Sequence, residues 1–213
     1  MSPTAGGKAY CRGRVKRTFD LTAAFAALVV LAPLLGVISI LIRLMSGPPI
    51  LFRQVRVGKD GRPFRILKFR TMRPEVTGLP ITGSGDGRIT PIGRLLRKSK
   101  LDELPQLLNV LIGDMSVVGP RPELPRYVAL YTPERRQVLE VRPGLTDDAT
   151  LQFRDEERLL GQIPQESREQ HYLDRILPRK LDLNLRYIER AGFLRDLSII
   201  IKTARAIGTR GRR

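Results

Sequence analysis

The sequence reads as a mostly helical α+β domain held to a membrane by its N-terminal part. Three features give that reading: an uncharged apolar run from Leu21 to Ile42, one hairpin-like pair of short strands after it, and helical spacing of apolar residues through most of the remaining chain.

The run from Leu21 to Ile42 is 22 residues long, and roughly 20 apolar residues suffice to span a bilayer. Near its middle stands Ala32-Pro33, where proline removes a backbone donor and crowds the preceding turn, so a kink or reversal is expected. Arg12, Arg14, Lys16 and Arg17 precede the run, and Arg43, Arg53 and Arg56 follow it. Cationic residues on both sides give no preferred direction of crossing. Two topologies stay open: a helix that enters and returns, and a single-pass anchor with a tolerated proline. A cleaved signal peptide is disfavoured, because the apolar part exceeds the roughly 7 to 15 residues usual for one, and no small-x-small site follows.

Net charge is +17, from 38 Lys and Arg against 21 Asp and Glu. Residues 1–73 hold 14 of those cations and only two acids, Asp20 and Asp60, so the excess lies beside the apolar run. Such a balance suits an anionic membrane face and phosphorylated ligands. Nucleic acid is disfavoured, since the chain has no Trp, few aromatics for stacking and no zinc-finger spacing. Cys11 stands alone, which excludes a disulfide framework and a cysteine metal site. The expected organisation is a disordered basic N-terminus over 1–15, a membrane helix over 16–46, one domain over 47–207 and a basic tail over 208–213.

Pro48-Pro49 ends the membrane segment. Ile50 to Val57 and Phe64 to Phe69 flank Gly58-Lys59-Asp60-Gly61 and predict a hairpin. Thr77 to Gly87, rich in Gly, Thr and Pro, reads as a loop placed to fold over a ligand. Ile89 to Lys100 is a basic amphipathic helix, with Ile92, Leu95 and Leu96 at helical spacing. The next helix begins around Asp102, because Pro105 is tolerated only in a first turn, and ends at Gly113. Met115 to Val118 is a strand-like step, and Gly119-Pro120-Arg121-Pro122 is a rigid turn that fixes Arg121. Gln152 to Leu160, Glu166 to Asp174 and Leu181 to Ile207 read as helices, the last amphipathic and able to pack or to lie on a membrane surface. His171, the only histidine, sits amid charged residues and reads as a surface group.

Asp102 and Glu103 are the clearest chemical candidates. At a helix N-terminus the dipole and unpaired N–H groups favour a charged carboxylate and suit phosphate. Adjacent helical residues point about 100° apart, so one acid can attack phosphorus while its neighbour holds a divalent cation. Capping acids are the competing reading of this pair taken alone. Arg121 alters the balance, because an arginine fixed nearby is suited to a diphosphate.

With these residues in place the chain resembles the bacterial sugar transferases, the monotopic phosphoglycosyl transferases, of the small type. The segments that carry the resemblance are Phe52 to Gly58, Leu67 to Met72, Leu101 to Asn109, Gly113 to Pro122 and Arg142 to Thr146. It implies transfer of a sugar phosphate from a UDP-sugar to a polyprenyl phosphate such as undecaprenyl phosphate, with release of UMP. It further implies that Asp102 is the nucleophile of a covalent phosphosugar intermediate and that Glu103 binds Mg2+. Lys68, Arg97 and Arg121 match positions expected to contact phosphates or organise the site, against the plainer reading of a solvated basic face. The resemblance also implies a re-entrant helix broken at Ala32-Pro33, a catalytic domain on the cytoplasmic face of the bacterial inner membrane, contact with membrane lipids and compatibility with a homodimer.

Two departures stand out. Ala32 occupies a family serine that can bond the carbonyl freed by proline, while Pro33 remains. After Thr146 the chain has Asp147-Asp148-Ala149-Thr150 in place of a Gly-Trp-Ala-Gln-like continuation, a region placed to help select the sugar. Two rival functions remain beside the transferase: a membrane-bound hydrolase of lipid diphosphates, and a non-catalytic basic scaffold.

Overall fold

The computed structural model describes residues 5–73, 83 and 86–210, so most of the loop expected over Thr77 to Gly87 lies outside the described residues. The chain begins with helix α1 (Ala5–Arg12) and the 33-residue α2 (Arg14–Ser46). The disorder expected over 1–15 therefore does not hold from residue 5 onward. Helix α1 packs against α9 (Leu177–Arg190), and Cys11 is buried in the main core. Gly7 permits that approach: a Cβ there would lie 2.3 Å from the carbonyl oxygen of Ile188.

Helix α2 runs without interruption through Pro33. No residue outside a helix separates its two arms; Pro33 removes one N–H donor and crowds the preceding turn, which permits a bend there while the helical backbone continues. Ala32 and Pro33 are both exposed, and no residue between Ala24 and Ile38 is buried. Phe25, Val29, Val30, Val37, Ile40 and Leu44 also point outward, and this helix is long and apolar enough to cross a membrane. A large uncovered apolar surface of this kind fits a membrane-associated helix.

The hairpin forms around Gly58-Lys59-Asp60-Gly61 as expected. β1 (Leu51–Val57) pairs antiparallel with β2 (Pro63–Phe69), Leu51 opposite Phe69 and Val57 opposite Pro63, around a turn in which Asp60 and Gly61 take positive φ. Beyond α3 (Pro91–Ser99) and α4 (Gln106–Ile112), β3 (Ser116–Val118) pairs in parallel with β4 (Gly144–Thr146). Gly144 is needed here, since a Cβ on it would sit 2.1 Å from the backbone nitrogen of Gly119.

Between β3 and β4 lies α5 (Pro125–Val128), and after β4 come α6 (Asp148–Gln152), α7 (Glu156–Gly161) and α8 (Arg168–His171). The single helix expected over Leu181 to Ile207 is instead two, α9 and α10 (Phe193–Arg210). Ala191, in extended backbone, and Gly192 separate them. The tail expected over 208–213 is helical as far as Arg210.

One core gathers Leu107, Val110, Met115, Val118, Leu181 and Tyr187. A smaller one packs Ile38 and Ile42 of α2 against Phe69, Ile92 and Leu96. A buried polar lock joins the first arm of α2 to the domain. Lys16 Nζ lies 2.7 Å from Asp196 Oδ2, Tyr187 donates to Asp196 Oδ1 at 2.7 Å, and Asp20 accepts the N–H of Val117 at 3.0 Å. After the apolar run, Arg70 donates to the carbonyls of Ser46, Gly47 and Pro48 at 2.6, 2.7 and 2.7 Å. Both arms of α2 thus rest on the same domain.

Candidate active site

Asp102 and Glu103 do not begin α4. They occupy a separate 3-10 turn, Leu101–Glu103, and α4 starts after Pro105. The cause lies at Lys100, whose positive φ of 58° ends α3 and redirects the chain. Pro105, with φ of −59°, then stands as the N-cap of α4. The two carboxylates remain on the N-terminal side of a helix, as expected, but in a tighter turn.

Asn109 positions the turn against the hairpin. Its Oδ1 accepts the N–H of Leu67 at 3.0 Å and its Nδ2 donates to the carbonyl of Arg65 at 2.9 Å, so α4 is docked on the backbone of β2 beside Lys68. Lys68 Nζ reaches Glu103 Oε1 at 3.1 Å. From the other side Arg121 grips Glu103 with both arms, Nη2 to Oε1 at 2.6 Å and Nη1 to Oε2 at 3.1 Å. A two-pronged arginine–carboxylate contact fixes direction as well as distance. Arg121 is held in turn by its backbone N–H, which donates to Asp147 Oδ2 at 3.3 Å, while Asp147 Oδ1 caps α6 through the N–H of Thr150 at 2.6 Å.

The neighbouring carboxyls therefore have opposite electrostatics. Burial would raise Glu103, but Arg121 and Lys68 outweigh it and hold this carboxyl well below the usual range. Asp102 is pushed up to about 6, chiefly by burial and then by the charge of Glu103, against the opposing pull of Lys68, Lys100 and Arg97. Burial draws Lys68 downward despite Glu103, whereas Glu103 holds Arg121 firmly protonated. Asp102 is 8% exposed, and its Oδ1 is buried without a hydrogen-bond partner among the described residues.

Four expected site residues, Lys68, Asp102, Glu103 and Arg121, thus meet in one place. Arg97 makes no hydrogen bond to either carboxylate; it pairs with Glu157 of α7 and lies 3.4 Å from Thr71 Oγ1. Its influence on Asp102 is electrostatic. Ala32 and Pro33 belong to the exposed middle of α2.

Sequence reasoning gave no role to Asn109 or to a brace behind Arg121, and it read Asp147 with its neighbours as a region for sugar selection rather than as the support of Arg121. In that brace Arg56 donates to the carbonyl of Pro122 at 3.2 Å and pairs with buried Glu123 at 3.5 Å, and Tyr172 hydrogen-bonds Glu123. Asn109 and Arg56 fall within the motif segments, which was a signal that those segments hold shape as well as chemistry.

Comparison with known proteins identifies the family. The family model described as bacterial sugar transferase matches residues 11–210. The uncharacterized sugar transferase EpsL of Bacillus subtilis is 39% identical over 193 residues, covering 91% of this chain and 87% of that protein. A UDP-glucose:undecaprenyl-phosphate glucose-1-phosphate transferase of Caulobacter vibrioides is 39% identical over 199 residues, 91% of this chain and 70% of that protein. A UDP-N-acetylgalactosamine-undecaprenyl-phosphate N-acetylgalactosaminephosphotransferase of Aeromonas hydrophila is 43% identical over 139 residues, 62% of this chain and 32% of that protein. This chain is a transferase, and it belongs to the bacterial sugar transferase family.

Proposed function

We propose that the protein transfers a sugar 1-phosphate from a UDP-sugar to undecaprenyl phosphate or a similar polyprenyl phosphate, releasing UMP, by way of an aspartyl phosphosugar on Asp102. The observation that carries the reading is the contrast between the two acids. Glu103 is committed to Arg121 and Lys68, whereas Asp102 keeps a free oxygen and a carboxyl that is ionised above about pH 6. The names of the relatives support the donor and acceptor classes. Those relatives differ in the sugar they carry, glucose in one and N-acetylgalactosamine in the other, so the proposal stops at the class of donor.

In this mechanism a carboxylate oxygen of Asp102 bonds to the sugar-bearing phosphorus as the bond from that phosphorus to the bridging oxygen breaks. UMP departs with the bridging oxygen and its electron pair. The sugar's anomeric C–O bond stays intact. A phosphate oxygen of the lipid then attacks the same phosphorus, the bond to Asp102 breaks, and the carboxylate is restored. Arg121 and Lys68 lie where they stabilise negative charge on the transferring group, and Arg97 adds positive potential.

Among the described residues no cluster of three or more His, Cys, Asp or Glu forms, which argues against an all-protein metal cage. Mg2+ commonly takes one or two carboxylates and completes its shell with substrate phosphates and water. Glu103 fits this mode through acceptor capacity left after its three contacts, with the free oxygen of Asp102 beside it. When bound, the ion would neutralise diphosphate charge.

Return of α2 to the side it entered is part of the proposal. Lys16, Asp20 and Ala24 before the apolar run's exposed middle, and Ile38 and Ile42 after it, are all buried on the same domain, which supports re-entry over crossing. The proposal also puts the catalytic domain on the cytoplasmic side of the inner membrane, because that is where nucleotide sugars are available.

The test is to supply the purified full chain with Mg2+, undecaprenyl phosphate and a panel of UDP-sugars, and to measure UMP. Release with at least one donor, and a labelled sugar phosphate on Asp102 when lipid is withheld, are the expected results. No UMP with any donor refutes the activity; turnover without the adduct refutes the covalent route and favours direct transfer. Free phosphate released from a lipid diphosphate would identify the hydrolase instead.

A further inference from the structure

Away from the carboxylates, α6, α9 and α10 enclose an open cleft of about 470 Å³. Its charged lining is Asp148, Arg186, Arg190, Arg195 and Lys202, four cations against one carboxylate. Asp148 is occupied by Arg195, at 2.6 Å. Arg186 makes a local contact, its Nε lying 3.3 Å from the carbonyl of Asp182. Arg190 and Lys202 form no ion pair or hydrogen bond among the described residues, so the cleft holds two uncompensated cations in addition to Arg186.

The cleft borders an apolar surface. Leu194, Leu197 and Ile201, spaced three and four residues apart on α10, are 78%, 39% and 43% exposed. Arg195 and Lys202 each follow one of these residues, so a cationic row runs beside the apolar row, about 100° around the helix. The start of α10 is tied to α2 by Phe193, whose ring meets that of Phe19 edge to face at 5.3 Å. Phe19 stands two residues before the apolar run. The apolar row of α10 therefore begins beside the N-terminal end of the apolar run of α2, with the cations directly alongside.

We infer that this cleft binds the phosphodiester headgroup of an anionic phospholipid. Arg190 and Lys202 hold the phosphate, Arg195 stays braced by Asp148, and the acyl chains run along Leu194, Leu197 and Ile201. Charge selects an anionic headgroup over a zwitterionic one, and the adjoining apolar row selects a lipid over a free phosphate. Asp148 lines this cleft while its neighbour Asp147 supports Arg121, so the headgroup site and the reaction site lie on either side of the start of α6.

Thermal unfolding of the full chain in neutral detergent tests the inference, with dioctanoyl phosphatidylglycerol, dioctanoyl phosphatidylcholine and inorganic phosphate as separate additions. Phosphatidylglycerol at about 100 times its dissociation constant is expected to raise the midpoint saturably by about 5–10 °C. Phosphatidylcholine and phosphate should leave it near baseline. The shift should vanish in the Arg190→Gln, Lys202→Gln double variant and persist in Arg205→Gln, an exposed cation of α10 outside the cleft. Equal shifts with both lipids, a full shift with phosphate alone, or an undiminished shift in the double variant would overturn the proposal. As a second measurement, a photoreactive phosphatidylglycerol should label peptides within 186–202 of the wild-type chain; labelling confined to α2 would also overturn it.

Discussion

Replacing Asp102 by asparagine should abolish turnover and also make the protein more stable, by an amount that depends on pH in a defined direction. Burial and the charge of Glu103 raise this carboxyl from 3.8 to about 6 in the folded chain, equivalent to about 3 kcal/mol disfavouring its ionised form. A raised carboxyl pKa means that the folded state binds the proton more tightly than the unfolded state. Between pH 3.8 and about 6 stability therefore falls as pH rises, and above that the cost is fully present. Asparagine has no such proton to lose. In metal-free buffer at pH 7.5 the variant should melt about 6–12 °C above wild type, taking about 2–4 °C per kcal/mol for a domain of this size. The gap should close steadily as pH is lowered from about 6.5 towards 4.5, and saturating Mg2+ should narrow it at pH 7.5 by favouring the ionised form. Differential scanning fluorimetry of both proteins across that range is the assay. A gap independent of pH, or a variant less stable at pH 7.5, would refute the account of a destabilised, reactive carboxylate.

Glu103→Gln removes the anion between Arg121 and Lys68 and leaves two confined cations facing each other, so unfolding should be easier by about 3–5 kcal/mol. Denaturant midpoints would measure it, and the simultaneous Lys68→Met change should recover part of the loss. Asn109→Ala deprives the N–H of Leu67 and the carbonyl of Arg65 of their partner, for a loss of about 1–3 kcal/mol per group left unsatisfied, with faster amide exchange at Leu67. For topology, cysteines introduced at Arg14 and Met45 in a background without Cys11 should both react with an impermeant maleimide from the cytoplasmic face only. Reaction of just one of them from that face would show a crossing helix.

The sequence made the hairpin, the basic helix α3 and the grouping of Lys68, Asp102, Glu103 and Arg121 legible, since each rests on local pattern or on motif segments whose residues carry charge. What escaped depended on contacts between distant segments. Helix α1 is rich in small and basic residues and looks unstructured alone; it is ordered by α9, across roughly 160 residues of chain, as loop closure permits. The start of α4 was misplaced because the positive φ at Lys100 has no signal in a lysine side chain. The split between α9 and α10 at Ala191 and Gly192 interrupts an apolar band that is periodic on both sides, so periodicity alone joins them. Arg97 carries the right charge at the right spacing, but Glu157, from a stretch with no motif, determines where its guanidinium rests.

Asp20, by holding the N–H of Val117, makes the immersion of α2 and the elevation of Arg121 a single variable. Any vertical drift of the anchor would carry β3, and the arginine four residues beyond Val117, with it. A lipid phosphate confined to the headgroup plane would then meet its reaction partners at constant height, without being lifted from the bilayer.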